Sequence, residues 1–388
     1  MIFPRNKQML SVFLAGSILL TGCIHEKDED NSITASSYYA VVATSSNDYK
    51  SYDVSLISLE DYSVANDIFN TQADIDVATN ADDIFVIGRL GTDNISKYTV
   101  DDSGVTKFEY QYAMEQNSNP QDVVVKSESA AYVIRYDTKT IKIVDPSADS
   151  AAAFETGSLD LSDYSADDGG AEAADGLLID NKLFVIIQGW DRSGGWPWAA
   201  GDSYVAVFDT ITGQEIDTNA DTSTPKGIKL ITKNPVKMVY ESVSGKIYIA
   251  SRGADYDGGI EALDVATYTT SLIVDDGTSG AAPYGKITNV AILSASKGYF
   301  VGSAAYLDDA LYAFNPTTGK VDETPLVNAS NLADIAIGPK GNLWVANRSL
   351  DTSGVTIFDT VDNSVLKPVV ETGLLPMSIE FLSVPKND

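Results

Sequence analysis

Leu332-Ala-Asp-Ile-Ala-Ile337, Asn342-Leu-Trp-Val-Ala-Asn-Arg348 and Val355-Thr-Ile-Phe-Asp-Thr360 follow one another within thirty residues. Each run is short and rich in β-branched, aromatic and small apolar residues, as strands require. Gly338-Pro-Lys-Gly341 separates the first two runs, and Ser349 to Gly354 separates the second from the third. Three such strands and a looser fourth make one blade-like sheet.

The same unit recurs along the chain. Apolar segments preceded by a small residue, Asp or Pro start at Ala73, Pro120, Ala173, Pro235, Ile287, Leu332 and Pro376, spaced 44 to 62 residues apart. Second strands follow the first six, over 83–89, 130–136, 182–188, 246–252, 298–304 and 342–348. Third strands end in Asp or Asn and a turn, as in AVFDTITG and YAFNPTTG. A period of this size with four strands per unit predicts a β-propeller. The ends complete the count. Tyr38-YAVVAT, 53–61 and SVANDIF lack a first strand, and the C-terminal PMSIEFL lacks everything after one. Together they predict a first blade closed by N- and C-terminal strands. The expected fold class is all-β, a seven-bladed β-propeller over 38–388.

The N-terminus carries a different signal. Arg5 and Lys7 precede an apolar run from Met9 to Leu20, and Leu20-Thr21-Gly22-Cys23 follows. The run is too short for a permanent membrane span and fits a secretory signal. The residues before Cys23, the only cysteine, resemble a bacterial lipobox. That resemblance implies a signal peptide over 1–22, lipidation of Cys23, and a membrane-tethered protein. Residues 23–37 are polar and read as a flexible tether. Ile24 in place of Asp after the cysteine points to an outer-membrane lipoprotein of the cell envelope.

Composition excludes several functions. Without residues 1–22, 24 Lys and Arg face 55 Asp and Glu, a net charge of −31. Nucleic acid is therefore not an expected partner, because phosphate binding needs a basic face. The lone histidine, His25, lies in the tether. The propeller can hold no Ser-His-Asp triad, no Cys-His pair and no histidine-rich zinc site.

The repeat at Leu332–Thr360 resembles the YncE-like, surface-layer-type seven-bladed propellers, over essentially all of 38–385. With the lipobox, the chain is also similar to lipid-anchored propellers that accompany TonB-dependent receptors. Those capture cobalamin, haem or ferric siderophores, so the resemblance implies a small anionic ligand and a receptor partner. No ligand motif carries over.

The residues themselves point to one face. Of the arginines outside the signal, Arg89, Arg135, Arg252 and Arg348 end second strands, and Arg192 follows one. The loops after second strands share a face with the loops that enter each blade. Arginine suits bidentate oxyanion recognition and aromatic stacking; the alternative is pairing with a neighbouring blade's carboxylates. The longest such loop holds Trp190, Trp196 and Trp198, which either contact a ligand or fold back over the channel. Tyr256 and Tyr306 join the same face. Such a rim suits a bulky anionic ligand, and equally a protein partner. Asp167, Asp168, Glu172 and Asp175 lie in an acidic stretch that is either solvated or a Ca²⁺ site, without EF-hand order. No other cofactor is expected. Three functions stay open: envelope ligand capture, an interaction scaffold, and a Ca²⁺-dependent hydrolase or lactonase.

Overall fold

A computed structural model describes residues 36–219 and 225–386. The expected signal segment, Cys23 and residues 24–35 lie outside that range. The first strand begins at Ser36, two residues before the expected boundary.

Seven antiparallel sheets follow one another around a ring. Blade 2 is typical, running outward through Ile75–Asn80, Asp83–Gly88, Asn94–Val100 and Thr106–Ala113. The innermost strands of the other complete blades are Pro120–Ser127, Ala173–Ile179, Pro235–Glu241, Lys286–Ser294 and Leu332–Ile337. Blade 1 is stitched from both ends of the chain. Its innermost strand is Leu375–Pro385, paired with Ser36–Ser45 from Leu375↔Ser45 to Pro385↔Ser36. Tyr52–Ser58 follows, and its outer edge carries two short pieces, Val64–Ala65 and Asn70–Thr71.

The core lies between blades. Each second strand buries a large side chain: Phe85, Tyr132, Phe184, Tyr248, Tyr299 and Trp344 are at most 3% exposed. The Asp or Asn that ends a third strand caps the turn after it. Asp209 accepts the N–H groups of Ile211 and Thr212, and Asn315 accepts those of Thr317 and Thr318. These Asx turns reverse the chain toward the fourth strand, which is why the acidic or amide residue recurs there.

Candidate functional site

Strand register builds the site. Ala78, Val124, Leu177, Val239, Ala291, Ala336 and Glu380 of the innermost strands pair with Phe85, Tyr132, Phe184, Tyr248, Tyr299, Trp344 and Val41. Side chains alternate with period two along a strand. Two residues upstream on each innermost strand therefore stand Asp76, Asp122, Asp175, Lys237, Asn289, Asp334 and Ser378. Four residues downstream on each second strand stand Arg89, Tyr136, Gln188, Arg252, Ser303, Arg348 and Ser45. These form two polar rings, one above the other, at one end of the central channel. The channel cavity measures about 1270 Å³, and both rings border it apart from Ser45.

The lower ring is held by backbone. An innermost strand leaves its inner edge unpaired, so its N–H groups need acceptors. Asp122 accepts the N–H of Val123 at 2.7 Å and of Gly176 in the next blade at 3.2 Å. Asp175 accepts Gly176 at 2.9 Å and Met238 of the next blade at 2.7 Å. Asp334 accepts Ile335 at 2.9 Å and Ile379 of blade 1 at 2.8 Å. In six of the seven innermost strands the register slips by one residue just before this position. A bulge there aims each side chain at its neighbour blade. Asp334 also takes Asn289 Nδ2 at 2.7 Å and, across the channel, the ammonium of Lys237. Burial pulls the Lys237 pKa down, but Asp334 outweighs it and holds the ammonium above its usual range. Burial pushes Asp122, Asp175 and Asp76 up; the charge of Asp175 pushes Asp122 further, and Arg89 partly relieves Asp76.

The upper ring divides. Arg89 is bound to Asp74 at 2.9 Å and Asp76 at 3.2 Å. Arg348 has no carboxylate partner among the described residues; it donates to Ser45 Oγ at 3.0 Å and lies 5.1 Å from the centre of the Tyr49 ring. Arg252 makes no ion pair or side-chain hydrogen bond among the described residues. Its side chain is open to channel water while protein surrounds it at a distance. Desolvation pulls its pKa down and Asp309 pushes it back. Tyr306 is 93% exposed at the same mouth.

Other expected residues stand elsewhere. Arg135 does not reach the mouth: it is fully buried, donating to Glu115 at 2.9 Å and to the Thr140 carbonyl. It falls one residue before the ring position that Tyr136 occupies, and a one-residue offset turns a strand side chain to the opposite face. Arg192 lies in the loop beyond the ring, bound to Asp137, Asp168 and Glu172 and stacked 5.3 Å from the Tyr136 ring centre. The tryptophans neither border the channel nor plug it. Trp190 donates to Asn234 Oδ1 at 3.2 Å, and Trp198 contacts both Trp190 and Trp196 edge to face. Trp196 is 82% exposed. Tyr256 is exposed and also off the channel.

The acidic stretch is not one cluster. Asp168 and Glu172 bind Arg192, whereas Asp175 belongs to the lower ring and Asp167 joins neither. Among the described residues no group of three or more carboxylate, histidine or cysteine side chains is placed to hold a metal. The arginine takes the place a cation would need. Glu172 is fully buried, and its Oε2 has no partner. Burial, then the charge of Asp168, pushes its pKa up to about 8. The folded state thus keeps a proton that the unfolded chain releases near 4.5, so stability falls as pH rises between those values. Glu172→Gln should melt as the parent does at pH 4 and about 2 °C or more higher at pH 9, a shift worth roughly 1 kcal/mol or more. Parallel melting curves at both pH values would refute the buried proton.

No family profile matches the sequence, and no curated protein does. Solved structures do. A candidate 6-phosphogluconolactonase from Bacteroides fragilis superposes with a TM-score of 0.61 at 12% identity, covering 91% of this chain and all of that one. A protein from Lactobacillus plantarum gives 0.59 at 15% identity, covering 90% and all of its chain. The periplasmic gluconolactonase PpgL of Pseudomonas aeruginosa gives 0.58 at 15%, with 90% and full coverage. The likeness is one of fold. It is the seven-bladed propeller, shared at 12 to 15% identity.

Proposed function

We propose that the chain is an envelope-tethered binding protein, anchored through Cys23, whose channel mouth takes a small anion such as a carboxylate or phosphate. One observation carries this reading. In a domain with net charge −28 over residues 38–388, Arg252 borders the cavity with its guanidinium unpaired among the described residues, and Arg348 beside the same cavity meets only a hydroxyl and a ring. The Arg252 guanidinium meets channel water and no carboxylate, so an entering oxyanion can take its donors without first breaking an ion pair. The tryptophan loop, expected to meet a bulky ligand such as a siderophore, haem or cobalamin, does not border the channel. The smaller anion is the better match. Delivery to a TonB-dependent receptor rests on the anchor alone.

Calorimetric titration of the protein with phosphate, citrate and gluconate at low salt tests the reading. At least one should bind, and Arg252→Ala should weaken it about tenfold or more, the cost of a charged hydrogen bond. Its melting temperature should not change. If none of the three binds, the reading fails.

A second reading, lactone hydrolysis, draws on the buried ring carboxylates Asp122 and Asp175. Their raised pKa values would suit an acid or base near neutral pH. Two structurally similar proteins carry the lactonase name. Release of acid from gluconolactone or its 6-phosphate above the uncatalysed rate, lost in Asp122→Asn, would favour it.

A further inference from the structure

The channel level just below the acidic ring holds alanine, valine or leucine in six blades and Glu380 in blade 1. This carboxylate makes no hydrogen bond and no ion pair among the described residues. Lys237 attracts it but is already committed to Asp334 and the Ile335 carbonyl. In the ring above, Asn289 presents a buried Oδ1 with no partner. The lower level therefore holds one carboxyl, Glu380, without a donor, and the mouth holds one guanidinium, Arg252, without an acceptor, among the described residues. Both lie along one continuous cavity.

The separation can be read from the strands. Val41 faces Glu380, and Ser45 stands at the level of the arginine ring. Four residues of strand cover about 13 Å. The arginine and glutamate side chains bridge part of that length, so a short extended chain spans the rest. Charge decides what the lower end must be. Asp76, Asp122, Asp175, Asp334 and Glu380 outnumber Arg89 and Lys237 there, so a positive end, which draws the carboxyls of raised pKa into their ionised form, is favoured over a neutral one. The Glu380 side chain meets channel water, yet the protein around it, eased by Lys237, with Asp334 and Asp122 adding like charge, pushes its pKa up to about 8. A bound cation would hold it ionised.

We propose that the ligand is dipolar: its anionic end lies between Arg252 and Arg348, and a protonated amine at its other end meets Glu380. This rests on the anion reading above and deepens it. Calorimetry on the full chain at pH 7.5, comparing 6-aminohexanoate with hexanoate, separates the two. The amino acid should bind about tenfold tighter or more. Glu380→Gln, an isosteric change, should shrink that preference to about twofold, and a melting curve no lower than the parent's shows that the variant is folded. Arg252→Ala should weaken both compounds. Equal binding of the two by the parent overturns the dipolar ligand and leaves the anion reading standing. Binding of neither, with phosphate, citrate and gluconate also silent, overturns both.

Discussion

A chain ended after Gly373 will not form the propeller, because it lacks the innermost strand of blade 1. Leu375–Pro385 supplies the whole inner pairing of Ser36–Ser45. It also buries Ile379, Leu382 and Val384 to between 1 and 3% exposure, in the two clusters that flank blade 1. Each such side chain is worth about 1.5–3 kcal/mol, so the three alone reach roughly 5–9 kcal/mol. Total stabilities of domains are about 5–15 kcal/mol. The loss therefore removes most or all of the margin before the backbone pairing is counted. It also leaves Ser36–Ser45 as an open edge in blade 1, the usual start of aggregation. The truncated chain should lack a cooperative melt and elute as aggregate. Adding a synthetic 375–385 peptide during refolding should recover part of the melt. A truncated chain that melts cooperatively within a few degrees of the parent would show that ring closure is dispensable.

The blades were legible because each strand is short, its apolar positions cluster, and Asx turns mark where the chain reverses. Even the split blade could be counted from unmatched strands at both ends. The arginine mouth was only half legible. Arg89, Arg252 and Arg348 follow the buried large residue of their strands by four positions, and Arg135 follows Tyr132 by three. That one-residue difference decides which way the side chain faces, and counting from the aromatic would have found it. Tyr136 and Gln188 occupy the ring without being arginine, so a search by residue type passed over them. The aspartates of the lower ring were in plain view in DIDVAT, QDVVVK and ADIAIG. Their role was hidden because Asp122 and Asp334 accept N–H groups 54 and 45 residues away and Asp76 accepts a hydroxyl 302 residues away, and a single repeat carries no sign of its neighbour. Glu380 stands out only once the seven innermost strands are in register.

Replacing Asp334 by Ala should cost about 3–5 kcal/mol, the usual price of leaving a buried charge unpaired. Asp334 is 6% exposed and joins four elements. It accepts the Ile335 and Ile379 N–H groups, the Asn289 amide and the Lys237 ammonium. Without it, the Ile379 N–H loses its acceptor at the junction of blades 7 and 1, where the ring closes. Lys237 keeps its charge in the channel wall with the Ile335 carbonyl as its remaining hydrogen-bond partner among the described residues and Glu380 and Asp175 as the nearby carboxyls. The melting temperature should fall by several degrees, and thermal melts of five proteins apportion the loss. If the orphaned ammonium is the main cost, adding Lys237→Met to Asp334→Ala should restore part of the lost stability. The two changes would then be coupled by about 1–3 kcal/mol, within the range for residues in contact. If the backbone acceptor is the main cost, the double variant should be no more stable than Asp334→Ala alone, and Asp334→Asn should recover more than Lys237→Met does. Simple additivity of both single changes would mean that neither group depends on the other. The channel pair would then be a bystander to ring closure, and the acidic ring would hold the blades through its backbone bonds only.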